Sequence, residues 1–486
     1  MTPDVNGEPL ISSPEESRGS SFWPVNFVLF VVNFTFGVAN SSFLKFNQTK
    51  KRFPCELLTY GGIFMNAPVV SASSLVEKLF QFASVDVVAH RKFVEQMVAG
   101  IIGSRSTLLS NIGRFLNEKC RLRHTEKRLS RMLNNFRIPL QELQVRMLEL
   151  ASFRVQEDAV IAFDPGDIYK KYARKMDGLY PVWDGSEKKT HMGYELFSAE
   201  AVQWKDGKQH HIPLFEKLIT AGCDDYVSQN LQIIESVKLV HSYLQGKGIW
   251  TFDRGHDRSW LFKELFLKLE NFRWILRVYE NRGVVPIDLK YESITPNKIC
   301  PGMMDLAKAI PLEARTIQIK EPQTTAPLRI GYTQFKLYDD KDDKRILTLI
   351  VVHDFRNEHP VYLVTCIPIN STEDAVVAFG YYICRFGIEH GFRFRKSYLN
   401  LEQLRVMNLH GIRMLHFLVH LSYFFICLFD WSTDSKLLDT DQHPIKHFKP
   451  VEELKFRYYR VAEYMGLRLL EQRKQPYQAL LFTPFG

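Results

Sequence analysis

The chain has 486 residues, 45% hydrophobic and 24% charged, which excludes a disordered chain and a membrane-spanning bundle and implies two or three folding units. A formal charge of +9 and a pI near 9.0 point to a polyanionic partner, either nucleic acid or an anionic membrane. The seven cysteines are scattered without a Cys-x-x-Cys pair, which argues against a thiolate zinc site and for free thiols in a reducing cytoplasm.

In chain order, residues 1–22 are Pro-, Gly-, Ser- and Glu-rich and read as a disordered leader. The apolar run from Phe22 to Val38 lacks the cationic start of a signal peptide and reads as a buried helix or strand. Residues 73–150 carry a helical period, with Val76, Leu79, Phe80 and Phe82 at its start. Within this region, Ser106 to Leu116 and Thr125 to Asn134 have the layout of a helix-turn-helix. The second segment sets Leu129, Met132 and Leu133 on one face and Lys127, Arg128 and Arg131 on another, as a DNA-recognition helix would; an ordinary solvated basic face is the competing reading.

Residues 151–400 change to a strand grammar. A strand at Ala159 to Phe163 precedes a hairpin with arms Tyr194 to Trp204 and Gln209 to Leu218 around Asp206-Gly207. A helix at Tyr226 to Gln245, with Val227, Leu231, Ile234, Val237 and Leu244 inward, leads to a strand at Gly248 to Phe252. A helix at Arg258 to Leu269 and a strand at Phe272 to Tyr279 complete the order of a ribonuclease-H-like α/β core. A β-rich insertion follows at about 284–370, with strands at Ala314 to Ile319, Leu328 to Tyr338, Arg345 to His353 and Val361 to Ile367. The acidic cluster Asp339, Asp340, Asp342 and Asp343 reads as an exposed hairpin turn. Residues 401–486 are helical; the run Ile412 to Phe429 contains Arg413, His416 and His420, costly at a bilayer centre, so it reads as a core helix and no membrane partner is expected.

The chemistry starts from two strands that end alike: Ala-Val-Ile-Ala-Phe runs into Asp164, and Gly-Ile-Trp-Thr-Phe runs into Asp253. Carboxylates at the carboxyl ends of buried strands face the crevice where open α/β sheets hold ligands. If the strands are neighbours, two anions lie side by side at a low-dielectric edge, and a divalent cation relieves the cost. Mg²⁺ suits such a site because it takes one or two carboxylates and keeps its other positions for water and phosphate. Turn and cap formation is the plainer role for strand-end aspartates.

A third element is the helix opened by Ser371-x-x-Asp374. It carries Tyr382-x2-Arg385-x3-Glu389-x6-Lys396, four side chains on one stripe at helical spacing. One metal ligand flanked by phosphate-binding groups accounts for the stripe, whereas an exposed Arg385–Glu389 pair is the plainer alternative. Gly387 and Gly391 inside this helix imply close approach of another backbone, DNA being a candidate. Asp167, Asp257 and His256 read either as supporting groups or as caps. His210 and His211 point to opposite faces of a strand and do not share a metal.

The Tyr-Arg-Glu-Lys signature, with the two aspartates and a β insertion before the glutamate, resembles the DDE transposases of bacterial insertion sequences, in the insertion sequence four family. The resemblance implies Asp164, Asp253 and Glu389 as catalytic ligands of two Mg²⁺ ions, with Mn²⁺ able to substitute. It implies Tyr382, Arg385 and Lys396 as grips on DNA phosphates. Its substrate would be double-stranded DNA, as terminal inverted repeats and as target, cut and rejoined by a dimer in a bacterial cytoplasm, nucleoid-associated when bound. The helical region before Asp164 would read the repeats, and the helical tail would help assemble the dimer. Rival readings are a non-catalytic repeat-binding protein and a ribonuclease-H-like nuclease without strand transfer.

Overall fold

The computed structural model describes residues 72–472, apart from 82, 185–186, 206, 224–225, 288–301, 321–322, 338–344, 355–358 and 433–455. The leader, the run from Phe22 to Val38 and the acidic cluster after Tyr338 lie outside the described residues. All described residues belong to one compact unit, Phe64–Gly486.

Helices come first: α1 (Ala72–Phe80), α2 (Val88–Ser104), α3 (Leu109–Leu116), α4 (Leu122–Leu133) and α5 (Leu140–Ser152). Their apolar stripes bury Val76, Phe93, Met97, Ile112, Leu129 and Met147, in a core that runs on without interruption to Leu469. The expected two-helix layout falls on α3 and α4, each starting about three residues from the expected position or nearer. Gly113 is what lets them meet, since a side chain there would strike Leu122 at 2.8 Å.

The sheet follows: β1 (Val160–Tyr169), β2 (Tyr180–Asp184), β3 (Lys189–Lys205), β4 (Lys208–Ile219), then helix α6 (Gln229–Leu244), β5 (Ile249–Phe252) and β6 (Trp274–Arg277). The β3–β4 hairpin turns at Gly207, whose φ of +74° suits a residue without Cβ. Val227 is 73% exposed and precedes α6, whose cap is Ser228 accepting from the Leu231 amide, so the expected inward role of Val227 is corrected. The helix expected at Arg258 to Leu269 is a short α turn, Ser259–Leu261, running into a π turn, Phe262–Phe266.

Next come β7 (Val284–Pro286), helix α7 (Met303–Ala309), β8 (Glu313–Lys320), β9 (Gln323–Leu337), β10 (Leu347–Asp354) and β11 (Val361–Thr365). These strands do not form a separate layer. β11 pairs antiparallel with β6, and one mixed sheet runs β2-β3-β1-β5-β6-β11-β10-β9-β7, with β4 on β3 and β8 on β9. The chain is thus mixed α/β, with the β-rich stretch continuing the central sheet.

Helices α8 (Thr372–Cys384) and α9 (Gly387–Arg393) cross back over the sheet. Ser371 and Asp374 form the expected capping box. Helix α10 (Leu409–Ser432) is long and apolar enough to cross a membrane by composition, but its apolar stretch is almost wholly buried against β4, α2 and α11 (Tyr458–Gln472). The expected core helix at Ile412 to Phe429 is therefore found buried.

Candidate active site

β1 and β5 are adjacent and parallel, with Val160 opposite Ile249 and Ala162 opposite Thr251. Two residues further along, level with each other, stand Asp253, the first residue past β5, and Asp164, which lies midway along β1: that strand stays paired with β3 as far as Tyr169, so the expected strand end at Asp164 is corrected. Phe163 and Phe252 just before them are fully buried and pack together at 6.0 Å, which fixes both chain directions. The Asp164 side chain is 14% exposed and that of Asp253 34%.

Asp253 caps a tight turn: its Oδ1 accepts from the Gly255 amide at 3.1 Å and lies 2.6 Å from His256 Nδ1. His256 is buried against the rings of Phe163 and Phe252, so its imidazole is held in one orientation. Burial works against ionisation of Asp253, and the His256 hydrogen bond and charge, helped by Arg385 and the Gly255 amide, overcome it and leave the carboxyl below its usual range.

Asp164 behaves oppositely. Burial, with the nearby charges of Asp253 and Glu389 adding to it, pushes its carboxyl up to about 7 even though Arg385 and His256 pull the other way. Arg385 is the direct counter-charge: its NH1 donates to Asp164 Oδ2 at 3.0 Å, and its guanidinium lies over the Phe386 ring at 4.8 Å. Arg385 Nε and Tyr382 Oη are both buried without a hydrogen-bond partner beside this pair.

The expected single stripe is corrected. α8 ends at Cys384, the chain re-enters a helix as α9 at Gly387, and a π turn occupies Phe394–Tyr398. Arg385 therefore sits in the break, pointing to Asp164, whereas Glu389 is exposed on the first turn of α9, and Tyr382 is buried. Lys396 is ion-paired with Asp167 and lies over the Tyr169 ring at 5.5 Å. Gly387 and Gly391 face side chains of this same chain: a Cβ would meet His211 Cε1 at 2.9 Å and Glu200 Oε2 at 2.7 Å, respectively. The expected approach of another backbone is thus an approach to the sheet's side chains.

Among the described residues, no three His, Cys, Asp or Glu side chains converge as a ready-made metal site. The chemistry of the donors nonetheless fits a hard divalent cation: three carboxylates within electrostatic reach share one arginine, and the most buried of them resists ionisation. Asp164, Asp253 and Glu389 are the residues available to hold it.

The other expected residues lie apart from this site. Lys127 and Arg131 are exposed on α4, and Arg128 is tied to Glu118 at 2.7 Å. Asp257 anchors Arg282 and the Tyr279 amide, a structural role. His210 meets Asp430 and Arg457, and His211 meets Glu200, so the two do not share a partner. Sequence reasoning missed Glu200, Glu216 and Arg395, all buried. The signal present was Glu200 between Ala199 and Ala201 and Glu216 after Leu214-Phe215, within arms expected to be strands.

No family model matches the sequence, and no curated protein sequence matches it. Among solved structures, it is similar to a piggyBac transposase synaptic complex with hairpin DNA, determined by cryo-electron microscopy. The TM-score is 0.37 at 11% identity, covering 87% of this chain and 82% of that one.

Proposed function

We propose that this chain is a DDE-type DNA transposase, which cuts DNA at terminal inverted repeats and transfers the freed 3′ end to a target. The observation that carries this reading is the level pair Asp164 and Asp253 on adjacent parallel strands, with Arg385 donating to Asp164. The partial order β4-β3-β1-β5-β6, a hairpin beside three parallel strands, supports a ribonuclease-H-like core. The Tyr-Arg-Glu-Lys spacing supports the insertion sequence four group.

In this reading Asp164, Asp253 and Glu389 hold Mg²⁺, as one or two ions. When bound, such ions supply the Lewis acidity that makes phosphodiester attack fast at neutral pH. His256 orients the Asp253 carboxylate through its hydrogen bond. Arg385 neutralises Asp164, and Lys396, half-buried beside Asp167, would have to leave that partner to reach a DNA phosphate, while Tyr382 is buried and supports the helix from within. The exposed Lys127 and Arg131 contribute to holding the duplex as phosphate contacts, and a dimer would bring two ends together.

A second reading, a repeat-binding protein without catalysis, is favoured by the lack of convergence of three carboxylates among the described residues. One experiment separates them: cleavage of a labelled duplex carrying the element's end, in Mg²⁺ or EDTA, by intact protein and by Glu389→Gln. The transposase reading expects Mg²⁺-dependent nicking that the variant loses while still binding DNA. Binding without nicking by the intact protein supports the second reading.

A further inference from the structure

The turn that bears Glu389 buries Ile388 and Phe392 in the apolar core, but its glycine face meets charge. Glu200 on β3 lies against Gly391, Glu216 on β4 lies beyond it, both are fully buried, and Arg395 reaches between them from the π turn. Arg395 donates to Glu216 Oε2 at 2.6 Å, lies 3.7 Å from Glu200 Oε2 and stacks over Phe392 and Tyr423 at about 5 Å. Each glutamate is also held from another side. His211 meets Glu200, whose Oε1 also accepts from Tyr423 at 3.2 Å, and His416 meets Glu216 at 2.7 Å.

An arrangement of this kind is a poor way to gain stability. Two carboxylates and one guanidinium are fully desolvated, and well-packed apolar replacements of buried ion pairs are often neutral or stabilising. What the cluster does supply is a fixed height. Glu200 and Glu216 are each held by more than one partner, and α9 rests on this cluster through Gly391, which faces Glu200 and Arg395, and on Glu200's partner His211 through Gly387. A Cβ at position 391 would meet Glu200 Oε2 at 2.7 Å, Tyr423 Oη at 3.1 Å and Arg395 NH1 at 3.3 Å. Position 387, one turn earlier, is equally closed by His211 and Val202. Glu389 lies midway between these two contacts.

We propose that Glu200, Glu216 and Arg395 are positioning residues for Glu389, setting the height at which α9 crosses the sheet and hence the reach of the Glu389 carboxylate toward Asp164 and Asp253. This rests on the metal-binding reading of those three carboxylates. Arg395 touches neither substrate nor ion; it acts through the helix. Gly391 belongs to the same device, because any larger residue lifts α9 away from the cluster.

The test uses the full chain and three variants, Gly391→Ala, Arg395→Met and Arg395→Lys. Mn²⁺ binding without DNA is measured from the free-ion electron paramagnetic resonance signal. The Mg²⁺ concentration for half-maximal nicking of a labelled duplex and the melting temperature are measured alongside. Supporting groups behind metal ligands typically change affinity by about 10- to 100-fold. Gly391→Ala and Arg395→Met should therefore weaken Mn²⁺ binding and raise the Mg²⁺ requirement by about tenfold or more, with DNA affinity unchanged and partial recovery in Arg395→Lys. If intact protein binds Mn²⁺ and Gly391→Ala and Arg395→Met bind it equally well, the cluster is merely structural and the proposal fails, whatever the melting temperatures; loss in Arg395→Met with no recovery in Arg395→Lys overturns the role of the positive charge. If intact protein neither binds Mn²⁺ nor nicks DNA, the metal reading itself fails and takes this one with it.

Discussion

Replacing Arg385 with Met removes the one ion-pair partner that Asp164 has among the described residues, together with the guanidinium that lies over the Phe386 and Tyr382 rings, while keeping a side chain of similar length. Breaking a buried pair by removing one partner typically costs about 3–5 kcal/mol when the remaining charge is trapped. Asp164 is not trapped, because it can take a proton. Its carboxyl is already pushed up to about 7 by burial with Arg385 present, and loss of Arg385 raises it further. At pH 6 the carboxyl is largely protonated in both proteins, so the charge contributes little to their difference. At pH 8 intact protein holds an ionised Asp164, whereas the variant protonates it, and that escape caps the loss at about 1.4 kcal/mol, one pH unit above the folded value. The sign follows from a raised acid: the folded state binds more protons than the unfolded between about pH 4 and 7, so stability falls as pH rises through that window. Urea melts of both proteins at pH 6 and pH 8, with EDTA or excess MgCl₂, measure this. We expect the gap between them to widen with pH in EDTA and to narrow with Mg²⁺, which replaces the missing cation. A gap of the same size at both pH values would refute the account of Asp164, and failure of Mg²⁺ to favour the variant would refute its role as a metal ligand.

Two further outcomes follow from the site and from α4. His256→Ala frees the Asp253 carboxylate from its 2.6 Å partner, and Mg²⁺-dependent nicking should fall by about 10- to 100-fold with DNA binding retained; steady-state nicking rates alongside gel-shift affinities would show it. Lys127→Ala and Arg131→Ala remove exposed cations, so each should weaken binding to any duplex and lower the slope of log affinity against log salt by about one, while Arg128→Ala, already committed to Glu118, should change that slope less.

Asp164 and Asp253 were legible because each follows a short run without charge, apolar throughout before Asp164 and broken only by Thr251 before Asp253, and such a run marks a strand buried on both faces. The start of α8 was legible for a local reason too, since Ser371 and Asp374 satisfy each other's amides within four residues. The break at Arg385 was not legible. No proline marks it: the backbone stays right-handed at Arg385 and Phe386 and only tightens, where Arg385 donates to Asp164 and Gly387 is seated on His211, contacts to residues distant in sequence. The cluster around Arg395 was hidden for the same reason: its partners come from β3, β4 and α10, and no local period links them. The β-rich stretch was legible strand by strand, but which sheet it joins is decided by the pairing of Thr365 with Ile275, far apart in sequence.

That pairing has a consequence for how the chain comes into being. β6 is complete soon after β5, yet its second neighbour, β11, is made only after the whole excursion through β7 to β10. Until then the partly made protein exposes a strand edge of Trp274 to Arg277, ready to pair with whatever extended segment comes first. Closing so long a loop is slow relative to local helix formation, so this edge is open for much of synthesis and refolding. Glu389 lies beyond β11 in the chain, which means the carboxylates cannot be gathered before that edge has its partner within reach. A product ending between Arg277 and Val361 would keep both aspartates and lack the third acid, with a sticky border in its place.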